Sequence, residues 1–424
     1  MLRNFIPGDS RILISKNELG QRINQYVGEV LTTFELVDLN TGSITRLSKI
    51  QSDADFTFGV SGSKAATRIK SARPKTDGPE PWLEFLSSSN VAPPKEVLRS
   101  LAPEEVTGRM VYVASVPLSG TGDNTQWGTF IVLRRFGKGA NAVQSFRVEA
   151  RDSDVLLPQW SPNGQFVLLG VGGAGNATDT YLIHLWNIQT GRVEQGPKEY
   201  VSYLNPRWSP DSKRIAYIVG GDIEGENQFL ARTPTSLRVY DVATGKSYVL
   251  KTAPSGPQVS LAQFQWQNAN SLLYAYYVLP TSVTQAKGEA ARKRAAATLK
   301  PEDIRPSIFQ VAATGGASTL VVKDGFRPMP SPDGRWIAFF GWPDVKEAQD
   351  EAKINPQSRY YGPRLFVWDR QVKRRFLVSP NIFLSNVQMK WTPDSHKLVL
   401  LQSSYNSQKT QGTAHISTIA VDGR

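Results

Sequence analysis

A motif of twelve residues that returns four times constrains this chain more than any other feature. The copies are Pro158-Gln-Trp160-Ser-Pro-Asn-Gly164-Gln-Phe-Val-Leu-Leu, Pro206-Arg-Trp208-Ser-Pro-Asp-Ser-Lys-Arg-Ile-Ala-Tyr, Pro328-Met-Pro330-Ser-Pro-Asp-Gly334-Arg-Trp-Ile-Ala-Phe and Met389-Lys-Trp391-Thr-Pro-Asp-Ser-His-Lys-Leu-Val-Leu. A fifth, Phe264-Gln-Trp266-Gln-Asn-Ala-Asn270-Ser-Leu-Leu-Tyr, keeps the Trp and the apolar run but changes the turn. Self-similarity at a spacing near 50 residues means stacked copies of one supersecondary unit, each burying its neighbour's apolar face.

The residue types specify that unit. Pro fixes φ at the second turn position, the Ser side chain can accept a backbone hydrogen bond, and Gly takes the positive φ that follows. Ser212 and Ser395 stand where the other copies have Gly, at a cost of about 1 kcal/mol if that residue is left-handed. The β-rich run after the turn reads as a strand that pairs back on the strand before it, with the Trp filling the seam between neighbouring sheets. A second marker closes each unit: a strand, a Thr-Gly turn and another strand. It appears as Val37-Asp-Leu-Asn-Thr-Gly42, Trp186-Asn-Ile-Gln-Thr-Gly191 and Val239-Tyr-Asp-Val-Ala-Thr-Gly245. Degenerate forms lie at Val311–Gly315 and Val367–Arg370.

Four antiparallel strands per unit make a propeller blade. The expected fold is therefore all-β, a single β-propeller of four-stranded antiparallel blades spanning residues 1–424. Anchors fall near 6, 58, 104, 160, 208, 266, 330 and 391, which makes eight units of about 53 residues. Seven is the alternative count, because the second and third units are poorly marked. A minimal blade needs only about 40–45 residues, so the excess is loop insertion. The last unit runs out after its third strand, so a fourth comes from Met1–Phe5, from sequence downstream, or not at all.

Trp-Ser-Pro-Asp-Gly followed by an Ile-Ala-Tyr/Phe strand resembles the repeat of the TolB-type propellers. It is similar also to the N-terminal propeller of prolyl-oligopeptidase and dipeptidyl-peptidase-like serine hydrolases. The resemblance to TolB implies a periplasmic, partner-binding protein, although the chain shows neither TolB's separate N-terminal domain nor its smaller blade number. The opening residues Met1–Asp9 also lack the apolar stretch of a secretory signal. The resemblance to the peptidases implies an eight-bladed gate over an α/β-hydrolase domain that would begin about where this chain stops. No Gly-x-Ser-x-Gly elbow is present, since Gly59-Val-Ser61-Gly-Ser63 fails at the last position. The Glu pair with which dipeptidyl-peptidase propellers hold a substrate amine has no counterpart in aromatic context at Glu104-Glu105 or at Glu224 and Glu226.

Composition narrows the chemistry further. The chain has no cysteine, which removes disulfides, thiolate nucleophiles and Cys-containing zinc sites. No apolar run approaches bilayer length. The three histidines, His184, His396 and His415, fall on a third strand, a turn and another third strand. Neither a catalytic triad nor a metal site is expected of them. Serines of the repeated turn read as structural, and Gly170–Gly175 reads as a loop, because no helix follows it. No catalytic residue, metal or cofactor is expected. The net charge of +12 is spread along the chain, which favours a solvated basic surface over a nucleic-acid stripe.

Function is then expected on loops grafted onto the fold. Long connections between second and third strands, Gly220–Ser236, Pro280–Pro306 and Trp342–Pro363, would leave one face of a propeller, opposite the Ser-Pro-Asp turns. Lys287–Lys300 is basic with helix-forming composition, whereas Asp344–Ala352 is helix-prone and acidic. The two either dock as a lid or stand as separate surface loops. Arg292, Lys293 and Arg294 of the first, and Arg359, Tyr360 and Tyr361 at the base of the second, are the candidate binding residues. The expected function is a non-enzymatic scaffold binding a protein or peptide through this loop face. The alternative is a gating propeller whose hydrolase domain is missing from this chain, and sequence downstream separates the two.

Overall fold

In a computed structural model of the chain, the described residues are 2–5, 11–22, 27–55, 66–69, 96–103, 109–119, 126–135, 143–148, 158–172, 180–199, 201–202, 206–219, 230–231, 235–253, 256–257, 263–277, 305–344, 363–383, 387–405, 412–421 and scattered positions between 282 and 298. They are nearly all β-strand. The hydroxyl at the head of each repeat explains how the strands are joined. Ser209 Oγ donates to Asp211 Oδ1 (2.6 Å) and accepts the amide of Arg214 (2.9 Å), while the backbones of Ser209 and Arg214 pair at 2.8 Å. Ser161, Ser331 and Thr392 repeat this arrangement with Asn163, Asp333 and Asp394. The fourth turn residue is left-handed in every copy, with φ of 65° at Gly164, 62° at Ser212, 74° at Gly334 and 65° at Ser395.

Each such hairpin extends into an antiparallel meander. Gln159–Trp160, Phe166–Gly172, Thr180–Asn187 and Val193–Gln195 form blade I. Arg207–Trp208, Arg214–Val219, Thr235–Asp241 and Lys246–Ala253 form blade II. Blade III is Phe264–Asn268, Ser271–Tyr277, Pro306–Ala312 and Thr319–Val322, and blade IV is Gly325–Pro330, Trp336–Gly341, Arg364–Asp369 and Arg374–Phe383. Blade V has three described strands, Val387–Trp391, Lys397–Tyr405 and Gly412–Ala420. The second markers fold as expected. Asp38, Asn187 and Asp241 each cap a turn whose fifth residue is a left-handed Gly, and Asp369 does the same with Lys373 at φ 53°.

The chain divides into two compact units, Met1–Gln195 and Gly196–Arg424. In the first, nine strands between Leu2 and Val148 pair in sequence order as one antiparallel sheet. Leu2–Phe5 belongs to that sheet, pairing with Arg11–Arg22. The anchors placed at 6, 58 and 104 lie outside the described residues. Val111, Ile131 and Leu133 of this sheet pack with Val167, Leu169, Trp186 and Ile188 of blade I.

In the second unit the strand period of two sends alternate residues to opposite neighbours. Leu272 and Tyr274 of blade III join Leu237, Val239 and Leu250 of blade II. Leu273 faces the other way, toward Ile337, Phe339 and Phe366 of blade IV. The anchor tryptophans reach back across the seams. Trp266 Nε1 donates to the Arg207 carbonyl of blade II at 2.9 Å, and Trp391 Nε1 donates to the Met329 carbonyl of blade IV at 2.8 Å. Blade IV, anchored by Pro330, has no indole at that place. The Arg327 amide bonds Gln263 Oε1 at 2.9 Å and Arg370 Nη2 bonds Gln310 Oε1 at 3.0 Å. One insertion adds a small pairing of its own, Leu230–Ala231 with Gly256–Pro257.

Candidate functional site

Of the six residues expected to bind a partner, Arg292, Lys293, Arg359, Tyr360 and Tyr361 lie outside the described residues. Arg294 is exposed, and its Nε reaches the Ala290 carbonyl four residues back at 3.4 Å, as on a helical turn. At the head of the acidic insertion, Asp344 Oδ2 lies 3.6 Å from Arg375 of its own blade. The repeat serines spend their hydroxyls on turn closure. His184 lies on blade I, His396 on a blade V turn and His415 on the last strand, the latter two exposed. Among the described residues no group of three His, Asp or Glu converges as a metal site.

A different site opens between blades II and III, where a cleft of about 500 Å³ is lined by Lys251, Thr252, Tyr274, Tyr276, Phe309 and Ser318. Strand alternation places both tyrosines on the side of blade III that faces blade II. Tyr274 pairs across the sheet with Phe309, the rings stacked at 5.8 Å, and Tyr276 meets each edge-on at 6.4 and 6.2 Å. Pairs of this kind contribute about 0.5–1.5 kcal/mol beyond area burial, so the wall is rigid. Tyr274 Oη donates to Ser318 Oγ at 2.7 Å, fixing the inner ring.

Lys251 reaches this wall through a β-bulge. Leu237 opposes Lys251 while Arg238 opposes Val249, so Leu250 is the extra residue. The bulge turns two consecutive side chains, Leu250 and Lys251, toward blade III, where regular alternation would send one away. Lys251 Nζ then lies 4.9 Å from the Tyr276 ring centroid. At a partly exposed site that contact is worth about 0.5–1 kcal/mol.

The neighbouring seam is the control. Blade III bulges at Val321 and blade IV at Val378, so the bulge itself belongs to the fold. In the III/IV seam, Phe339 and Phe366 repeat the stack of Tyr274 and Phe309, at 5.6 Å. There, however, Val322 stands at the position of Lys251, buried at 3% exposure, and Gly341 stands at that of Tyr276. A Cβ on Gly341 would lie 2.8 Å from the Asp324 carbonyl, which shows that seam to be closed. One architecture is thus sealed by Val and Gly in one seam and held open by Lys and Tyr in the next.

Burial raises both tyrosine pKa values. At Tyr274 the Ser318 hydrogen bond acts against it and the neighbouring Tyr276 adds to it. Both phenols stay protonated through the physiological range. Tyr217, the blade II counterpart of Tyr274, donates to Ser247 Oγ at 2.8 Å and lies 3.2 Å from Glu199 Oε2.

Sequence reasoning passed over this cleft. Its one legible signal is Tyr276, an aromatic at a place where blades II and IV carry Val219 and Gly341. The lysine had no signal, because in a strand of strict period two it would point away from the seam.

No family model matches the chain, and no curated protein matches it. Solved structures do. The β-propeller domain of the Trilobed protease from Pyrococcus furiosus, described as having an open velcro topology, aligns at 14% identity with a TM-score of 0.46 over 77% of this chain and 83% of that one. TolB from Acinetobacter baumannii aligns at 14% identity and 0.37 over 96% and 80%. The Pyrococcus horikoshii acylaminoacyl peptidase aligns at 12% and 0.46 over 77% of this chain, which spans 46% of that enzyme.

Proposed function

We propose that this protein is a non-enzymatic β-propeller scaffold that holds a segment of a protein or peptide partner, with the blade II/III cleft as its contact site. The observation that carries this reading is the opened seam. Lys251 and Tyr276 occupy places that Val322 and Gly341 use to seal the adjacent seam, at the expense of apolar burial. A concave surface that sets aromatic rings beside a few polar groups suits a binding site. Second-strand residue Tyr276 lies at the end from which the 278–305 connection leaves, so the cleft adjoins the long-loop side expected to meet a partner. A photo-crosslinking amino acid at position 317, on the exposed rim of the cleft, is expected to capture a discrete adduct. The same group at position 372, exposed at 61% on blade IV, is expected to capture none. Identical adducts from both positions would remove the cleft from the interface.

A further inference from the structure

We infer that the blade II/III cleft selects a segment in which a carboxylate lies beside an aromatic or large aliphatic side chain. The inference rests on the binding reading above and names the chemistry of the occupant. Tyr274, Tyr276 and Phe309 offer ring faces to an apolar side chain, while Lys251 stands at their margin. Among the described residues Lys251 has no carboxylate within ion-pairing distance, and its ammonium lies over the Tyr276 ring. Aromatic walls without a cation would suit a quaternary ammonium or methylated lysine. Here the ring face is already taken by an ammonium, which repels a second cation. A phosphate is also poorly matched, since a dianion is ordinarily held by several cations or by the planar fork of Arg. A single compact charge at the margin of the ring faces matches a single carboxylate. The chain's net charge of +12 draws an acidic segment in the same direction.

The test is fluorescence anisotropy on the full chain with three labelled heptapeptides. In these, two phenylalanines alternate with two aspartates, two asparagines or two trimethyl-lysines. The aspartate peptide is expected to bind about two- to fivefold more tightly than the asparagine peptide, the upper part of the range open to one partly exposed charge pair. Lys251→Met should abolish that difference, Lys251→Arg should keep it, and Tyr276→Gly should weaken both peptides. Equal binding of the aspartate and asparagine peptides by the unaltered chain would overturn the inference without recourse to any variant. So would a difference that survives Lys251→Met, a preference for trimethyl-lysine, or no binding of any peptide. If the position-317 adduct persists in those cases, the binding reading stands while the carboxylate chemistry fails. If the adduct is absent too, both fail.

Discussion

At Ser161, Ser209, Ser331 and Thr392 one hydroxyl donates to the side chain two residues on and accepts the amide five residues on. The carboxylate of Asp394 also accepts the His396 amide at 3.1 Å. The Thr392 hydroxyl, then that amide and the nearby positive charges, hold its pKa below the ordinary value against a smaller opposing effect of burial. Asp211 is lowered in the same way by Ser209, Lys213 and Arg214, although burial is there the largest single influence and pulls upward. A depressed folded pKa contributes stability that is complete above the unfolded value, about 3.9, and is lost as pH falls through the folded one. The urea midpoint should therefore drop below about pH 4. In Asp394→Asn that drop should be shallower, with lower stability at neutral pH; parallel pH curves for the two proteins would refute it. Asn163 already shows that an amide supports this geometry. Lys373 offers a second residue-scale test. It occupies, at φ 53°, the place held by Gly42, Gly191 and Gly245, around two of which a Cβ would meet nothing within 4 Å. Lys373→Gly should raise unfolding free energy by about 0.5–1 kcal/mol, the left-handed penalty less the added freedom of the unfolded chain.

Between blades, the indole bonds of Trp266 and Trp391 repeat one device: each anchor donates to the carbonyl preceding the anchor of the blade before it. Trp391→Phe keeps most of the apolar packing and removes the donor. It should cost about 1–2 kcal/mol, because the Met329 carbonyl loses its partner in a half-buried seam. A loss no larger than that of an exposed control such as Val372→Ala would show the bond to be incidental. The recurrent fourth-strand bulge acts at the same scale. It gives blades II and III two consecutive residues each aimed at the next blade, and the identity of the second separates the open seam from the sealed one.

For the whole molecule, no helix among the described residues is long and apolar enough to cross a membrane. Some of the described arginines are paired with carboxylates, as in Arg238–Glu199 at 2.7 Å and Arg335–Asp369 at 2.9 Å. We propose that residues 1–424 act as a single propeller domain of eight units. Calorimetry tests the single domain: one transition is expected, with calorimetric and van't Hoff enthalpies equal. Two separable transitions would assign Met1–Gln195 and Gly196–Arg424 to independent domains.

The sequence by itself determined the all-β class, the position of each repeat turn, the left-handed residue within it and the seam-filling role of the tryptophans. These depend on φ preference, side-chain reach and strand period, all local properties of consecutive residues. Only the tertiary structure decided which seam stands open. That choice depends on which residue follows a bulge shared by the blades, Lys251 or Val322, and on a tyrosine and a glycine occupying matching places in different blades. Pairing register and seam width arise from residues far apart in the chain, so no local pattern encodes them.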